Sequence, residues 1–158
     1  MRFLPGLLLL LPLASLQAHA ELVDDVFDRG ELRIALEANT PPYNFKQDDK
    51  LTGFEVELGE LLAREMDVRP SFITTDDTDM LPGVESGKYD VAINHIAMTA
   101  ELQDRFDFSE PYHEAPELAI AFQKGNPAFR TSLDNALQRV KSDGRLTALS
   151  HKWFTHTE

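Results

Sequence analysis

The chain contains no cysteine. That excludes a disulfide scaffold, thiolate-ligated zinc, an iron–sulfur cluster and thiol catalysis in one step. Positive charge is also scarce. Fifteen Lys and Arg face 27 Asp and Glu, for a formal net charge of −12, and a nucleic-acid binder needs a basic face to neutralise phosphate. No apolar run approaches the roughly 20 residues that span a bilayer as a helix. Three enzyme signatures are missing as well: a Gly-x-Ser-x-Gly elbow, a His-Glu-x-x-His pair and a phosphate-binding Gly-x-x-x-x-Gly-Lys loop. There is no internal repeat and no low-complexity stretch. What remains is 158 residues, 42% hydrophobic, with ten Phe, which is one domain's worth of chain with enough apolar side chains for a core.

The first twenty residues read as an address. Met1-Arg2 gives a short positive start, Phe3 to Leu13 is apolar apart from Pro5, Gly6 and Pro12, and Ala18-His19-Ala20 places small residues before Glu21. This three-part order predicts a cleaved secretory signal, with cleavage after Ala20 and a periplasmic destination, so the processed chain does not span the membrane. Charge is uneven beyond that point. Residues 21–122 hold 8 basic and 24 acidic side chains, and residues 123–158 hold 6 and 3. A basic C-terminal segment is therefore expected to dock on an acidic body, aided weakly by salt-screened attraction.

Periodicity supplies the elements. Leu32 to Leu36, Pro70 to Thr74, Tyr89 to Ile93 and Leu118 to Phe122 read as strands, with Phe106 to Phe108 a short extended piece. Phe54, Leu58, Leu61 and Leu62 form one stripe of a helix running to about Met66. Met80 to Ser86 is a short helix stopped by Gly87, and Ala100 to Arg105 a helical turn. Asn126-Pro127 is a helix start, with Asn as cap and Pro at the first helical position; Phe129, Leu133, Ala136, Leu137 and Val140 are its buried stripe. Leu146, Leu149 and Trp153 mark a last helix, with Trp153 and Phe154 in the core. Strand–helix alternation at these spacings predicts an α/β domain with a mostly parallel sheet flanked by helices. Ligands then belong outside the carboxyl ends of the strands, in the loops 37–43, 75–79 and 94–99.

A family resemblance becomes visible at Gly53-Phe54-Glu55-Val56-Glu57-Leu58. It extends through Pro41-Pro42-Tyr43-Asn44-Phe45, Ser86-Gly87-Lys88-Tyr89-Asp90-Val91, Asp107-Phe108-Ser109-Glu110-Pro111-Tyr112, Lys124-Gly125-Asn126-Pro127 and Lys152-Trp153-Phe154. In these segments the chain resembles the polar amino-acid-type periplasmic solute-binding proteins of ABC transporters. The resemblance implies two α/β lobes that clamp a solute between them, with the chain crossing to the second lobe and returning. Here Leu118 to Lys124 resembles the outgoing strand, yet Gly125-Asn126-Pro127 is already the return. The resemblance thus implies a single lobe over residues 21–158, with 21–122 as body and 123–158 as returning helices, and the second lobe missing. A lone lobe leaves one side of its solute wet, so weak binding is expected unless a permease or a second copy closes the cleft.

The candidate ligand-binding residues are Glu37, Thr40, Tyr43, Asp77, Asn94 and His95. Glu37 and Asp77 point to a cationic or amino-acid-like solute, or else to solvated acids at a loop and a helix start. Asp76 and Asp79 read as caps of the short helix. Asn94 and His95 close the third strand, where His95 either donates to a ligand or is satisfied by neighbouring backbone. By resemblance, the arginine that grips a solute's carboxylate falls at Leu102, its hydroxyl assistant at Ala97, and a covering aromatic at Thr40. Arg105 shares a helix face with Leu102 and either substitutes for that arginine or forms a surface ion pair. No cofactor or metal is expected: Asp76-Asp77-Thr78-Asp79 lacks the glycine and the terminal Glu of a calcium loop, and His151 and His156 are not one helical turn apart. The sequence supports two functions, a non-enzymatic solute binder in ABC-type amino-acid transport, or an accessory protein-interaction lobe that no longer holds solute.

Overall fold

Alternation along Glu31-Leu32-Arg33-Ile34-Ala35-Leu36 sends Leu32 and Ile34 to one side of a sheet and Ala35 to the other, all fully buried. That strand, β1, is the spine of the computed structural model, which describes residues 2–3, 5–6 and 21–155. The expected leader and its cleavage point lie almost wholly outside the described residues. In chain order the elements are α1 (Leu22–Arg29), β1 (Glu31–Leu36), β2 (Asn39–Thr40), β3 (Asn44–Gln47), β4 (Lys50–Thr52), α2 (Phe54–Glu65), β5 (Arg69–Thr74) and α3 (Asp77–Glu85). They continue with β6 (Val91–Ala92), α4 (Ala100–Arg105), β7 (Phe106–Phe108), β8 (His113–Glu114), β9 (Glu117–Leu118), β10 (Ala121–Gln123), α5 (Pro127–Ser142) and α6 (Arg145–Phe154).

The central sheet runs β5-β1-β6-β10-β7. β1 is parallel to both β5 and β6, while β10 is antiparallel to β6 and to β7. Four of the five strands therefore point the same way. This is the mostly parallel α/β sheet that the alternating pattern predicts. Side chains divide cleanly between its faces. Ile34, Val91, Ile93, Ile120 and Phe122 face one layer with Phe54, Leu58 and Leu62 of α2, Phe129 and Leu133 of α5 and Leu149 of α6. Ala35, Ala92, Ala119 and Ala121 face the other, with Met80 and Val84 of α3 and the rings of Phe106 and Phe108. Small residues on that second face let α3 lie close; Gly83 does the same from the helix side, since any Cβ there would overlap the Tyr89 ring. Each fully buried Leu, Ile or Phe contributes about 1.5–3 kcal/mol of apolar transfer, as an upper estimate.

Several boundaries differ from the periodicity, each for a polar reason. The 80–86 helix starts at Asp77, because Asp76 accepts the Asp79 N–H at 2.8 Å and caps it. The 118–122 strand divides in two, because the Ile120 N–H bonds the Ser109 hydroxyl at 2.9 Å and the Ala119 N–H bonds the Ile96 carbonyl. Only Val91 and Ala92 of the third strand are laddered on both sides, although Asp90 and Ile93 still donate to Arg33 and Ala35 of β1. Asn126 occupies the start of α5 but does not cap it through its side chain; its Oδ1 accepts the Leu22 N–H at 2.8 Å and its amide donates to Gln123. Asn126 thereby anchors α1, an element without a recognised pattern of its own, to the head of α5. The basic C-terminal helices dock as their charge suggests: Arg139 and Arg145 both pair with Glu65, Arg130 with Asp107, Lys141 with Glu110 and Lys152 with Glu57.

Candidate functional site

Parallel β1, β5 and β6 end on the same side of the sheet, and the residues that follow them meet there. Glu37 follows β1, Asp77 opens α3 just beyond β5, and Asn94 and His95 follow β6. These four line a cleft of about 420 Å³ whose apolar wall is Met80, Leu81, Ile96, Ala97 and Leu102. Larger concavities exist elsewhere, one of about 500 Å³ around Gly30, Arg64 and Arg69 and one of about 550 Å³ between His113 and α6. The strand-end cleft is singled out by its chemistry, since it gathers the carboxylate, amide and imidazole groups that follow the parallel strands.

Beneath the cleft lies a buried polar chain. Asn94 and Glu37 are doubly tied: the Glu37 N–H donates to Asn94 Oδ1 at 3.0 Å, and Asn94 Nδ2 donates to Glu37 Oε2 at 3.1 Å. Asn44, fully buried, donates to Asn94 Oδ1 at 3.0 Å and to Glu55 Oε1 at 2.9 Å. Glu55 is itself fully buried and accepts from four directions: the Asn44 amide, the Tyr112 hydroxyl at 2.6 Å, the His95 backbone N–H, and His95 Nδ1 at 3.0 Å. A buried carboxylate is tolerable because every lone pair is met. His95 needs this support, since its φ of +43° is a left-handed conformation that a residue with a Cβ adopts only at a cost.

Electrostatics follow from that arrangement. The bond to Glu55 raises the His95 pKa above its ordinary 6.5; burial opposes the rise, and the charges of Glu55, Glu37 and Asp77 add to it. Burial, reinforced by the Glu55 charge, pushes the Tyr112 phenol well up, and the same two causes raise Tyr43 more modestly.

The structure brings Glu37, Asp77, Asn94 and His95 together around the cleft. Tyr43 stands beside them, its ring 4.9 Å from the His95 imidazole and 5.3 Å from Phe154. Thr40 lies apart on β2, where its hydroxyl donates to Asn39. Leu102 and Ala97 do line the cleft wall, whereas Arg105 turns away, paired with Glu85 at 2.7 Å and stacked over Phe106. Arg105 thus takes the surface ion-pair alternative. Asp76 is a cap, as expected, and Trp153 and Phe154 pack half-buried against the core. His156 lies outside the described residues. Sequence reasoning passed over Glu55, Asn44 and Tyr112. The available signal was spacing: Glu55, Leu58 and Leu62 share one helix face, so an acid stood on the buried side of α2.

Comparison with known proteins identifies the family. The sequence profile of the bacterial extracellular solute-binding proteins, family 3, matches residues 32–156. The L-cystine-binding protein TcyJ of Escherichia coli strain K12 is 40% identical over 110 residues, covering 69% of this chain and 41% of that protein. A probable histidine-binding protein of Campylobacter jejuni is 32% identical over 103 residues, covering 65% of this chain and 40% of its own. The chain thus spans well under half the length of these relatives. Among solved structures, the arginine-bound form of domain 1 from TmArgBP superposes with a TM-score of 0.70 at 26% identity, covering 73% of this chain and 98% of that one. The sheet order and the profile converge on one conclusion: this chain belongs to the bacterial extracellular solute-binding proteins of family 3, and its described residues fold as one α/β lobe.

Proposed function

We propose that this chain is an exported, non-catalytic binding lobe that holds a small polar, amino-acid-like solute bearing a cationic group, in the setting of ABC-type amino-acid uptake in the periplasm. The observation that carries this reading is the convergence of Glu37, Asp77, Asn94 and His95 on one strand-end cleft. Neither acid forms an ion pair with a Lys or Arg among the described residues, so both are available to an ammonium or guanidinium group. The relatives named above are an L-cystine-binding protein, a probable histidine-binding protein and an arginine-bound domain, which supports the same solute class. Binding by one lobe is weak, because water reaches the far side of the solute and screens its polar contacts. An ABC permease or a second copy supplies the missing wall. An open cleft also speaks against catalysis, which needs water excluded from the reacting atoms.

A thermal-shift and calorimetric screen of the processed protein against basic amino acids, polyamines and organic acids tests this. A ligand at one hundred times its Kd stabilises by about 2.7 kcal/mol, so millimolar arginine or histidine is expected to raise the melting temperature measurably. No shift with any compound at millimolar concentration overturns the solute reading. One observation favours a second reading, an accessory interaction lobe without solute: Leu102 and Ala97 leave the cleft with no guanidinium to take a carboxylate. That reading predicts a silent screen together with direct binding to a membrane permease or other protein partner.

A further inference from the structure

The cleft has two carboxylates for a solute's cationic end and no Lys or Arg among its lining residues for the anionic end. His95 is the one lining side chain able to become a cation. Its position is built for a purpose that backbone satisfaction alone does not require. Nδ1 is held 3.0 Å from Glu55 Oε1, the backbone N–H bonds the same carboxylate, and the ring packs against Tyr43 with centroids 4.9 Å apart. Among the described residues Nε2 has no hydrogen-bond partner, while the side chain stays about a quarter exposed in the cleft wall.

Taking the cleft as the solute site, we propose that His95 is the carboxylate-recognising residue of this lobe, and that Glu55 is its positioning residue. Glu55 meets four donors, so it acts as an acceptor and Nδ1 keeps its proton. The other nitrogen then decides what the cleft accepts. In the imidazolium, Nε2–H donates a charge-assisted bond to a solute carboxylate. In the neutral ring, Nε2 presents a lone pair, which repels a carboxylate and suits only a donor. Recognition of the carboxylate therefore switches off as pH rises through the His95 titration, while the ammonium end remains held by Glu37 and Asp77. The groups facing His95 are Glu55 from α2, Glu37 beyond β1, Asp77 of α3, Tyr43 before β3 and Tyr112 before β8. All are acids or phenols, so none of them brings a positive charge to the carboxylate.

Two measurements on the processed protein test this. First, calorimetric affinities for arginine and for agmatine, which lacks only the carboxylate, are compared from pH 5.5 to pH 9. Arginine is expected to win by on the order of tenfold at low pH, the worth of one charge-assisted bond, and to lose that advantage at high pH. His95→Gln is expected to remove the pH dependence of the ratio. A ratio that is flat with pH, or agmatine bound as tightly as arginine throughout, overturns the proposal. Second, the His95 ring is followed by nuclear magnetic resonance in the wild type as acetate is added at pH 5.5. The Nε2 resonance is expected to move in a saturable way, and to stay still in Glu55→Gln or at pH 9. If arginine and agmatine both fail to bind while acetate moves His95, the proposed solute is wrong and His95 recognition stands. If acetate leaves His95 unmoved, recognition by His95 is overturned whatever the ligands do.

Discussion

Glu55 sits fully buried among four donors, two of them from His95, whose raised pKa and left-handed backbone it supports. The consequence for stability has a definite sign. The folded pKa of His95 lies above its unfolded value near 6.5, so the folded state binds the proton more tightly. Its contribution is fully present below pH 6.5 and fades as pH rises through the raised folded value. Urea titrations should show the wild type losing stability relative to His95→Gln as pH rises above 6.5, with parallel curves below that pH; no convergence on the alkaline side counts against the Glu55 pair. Glu55→Gln presents an amide to a ring of donors and should cost about 2–3 kcal/mol at pH 7 by the urea midpoint, the range for a lost bond to a charged group. A second position is set by backbone. Gly53 has a φ of +127°, and a Cβ there would lie 2.8 Å from the Tyr43 carbonyl carbon. Gly53→Ala should therefore cost about 3 kcal/mol in strain and overlap and loosen Tyr43, which circular dichroism melts and a weaker ligand response would both report.

At the scale of elements, hydrophobic packing outweighs the ion pairs that decorate it. α5 lays Phe129, Leu133, Leu137 and Val140, all fully buried, against the sheet and α2. Arg139 and Arg145 then reach Glu65 across solvent. Leu133→Ala should lose about 2–5 kcal/mol, whereas Glu65→Gln should leave the melting temperature within a degree or two at 0.15 M salt, since exposed pairs are screened. A larger loss in Glu65→Gln than in Leu133→Ala would reverse that ranking. The same contrast explains what was legible in the sequence. The α2 and α5 stripes and the β1 run were readable because burial imposes a period that the residues must follow. Helix α1 was not, because only Leu22 and Val26 of its eight residues are buried, and its ends rest on a capping box at Glu21 and a left-handed Gly30. The splitting of 117–123 was hidden for a related reason: the Ser109 hydroxyl replaces a ladder bond from eleven residues away. In the cleft, Glu37, Asp77, Asn94 and His95 followed from the rule that parallel strands present their carboxyl ends to ligand. Glu55 and Asn44 did not, because their role is defined by one another, and residues eleven apart in the chain carry no period linking them.

Whole-molecule behaviour turns on whether the returning helices are integral to the lobe or an appendage. One cluster of buried side chains runs without a break from Leu22 and Val26 of α1 through α2 and the sheet to Leu146 and Leu149 of α6. Asn126, at the head of α5, holds α1 in place by accepting the Leu22 N–H. A continuous core of this kind melts as one unit, because removing any layer exposes apolar surface on the next. Trp153 is the only tryptophan, and it reports α6 alone: its indole N–H donates to Glu57 at 2.7 Å and its ring meets Phe45 edge-on at 5.9 Å. Tryptophan fluorescence and far-ultraviolet circular dichroism of the protein should therefore trace one coincident urea transition, with a calorimetric enthalpy equal to the van't Hoff value. An earlier fluorescence midpoint would show α6 detaching first. The return segment would then be a peripheral clasp, and the one-lobe unit would have to be redrawn to end within α5.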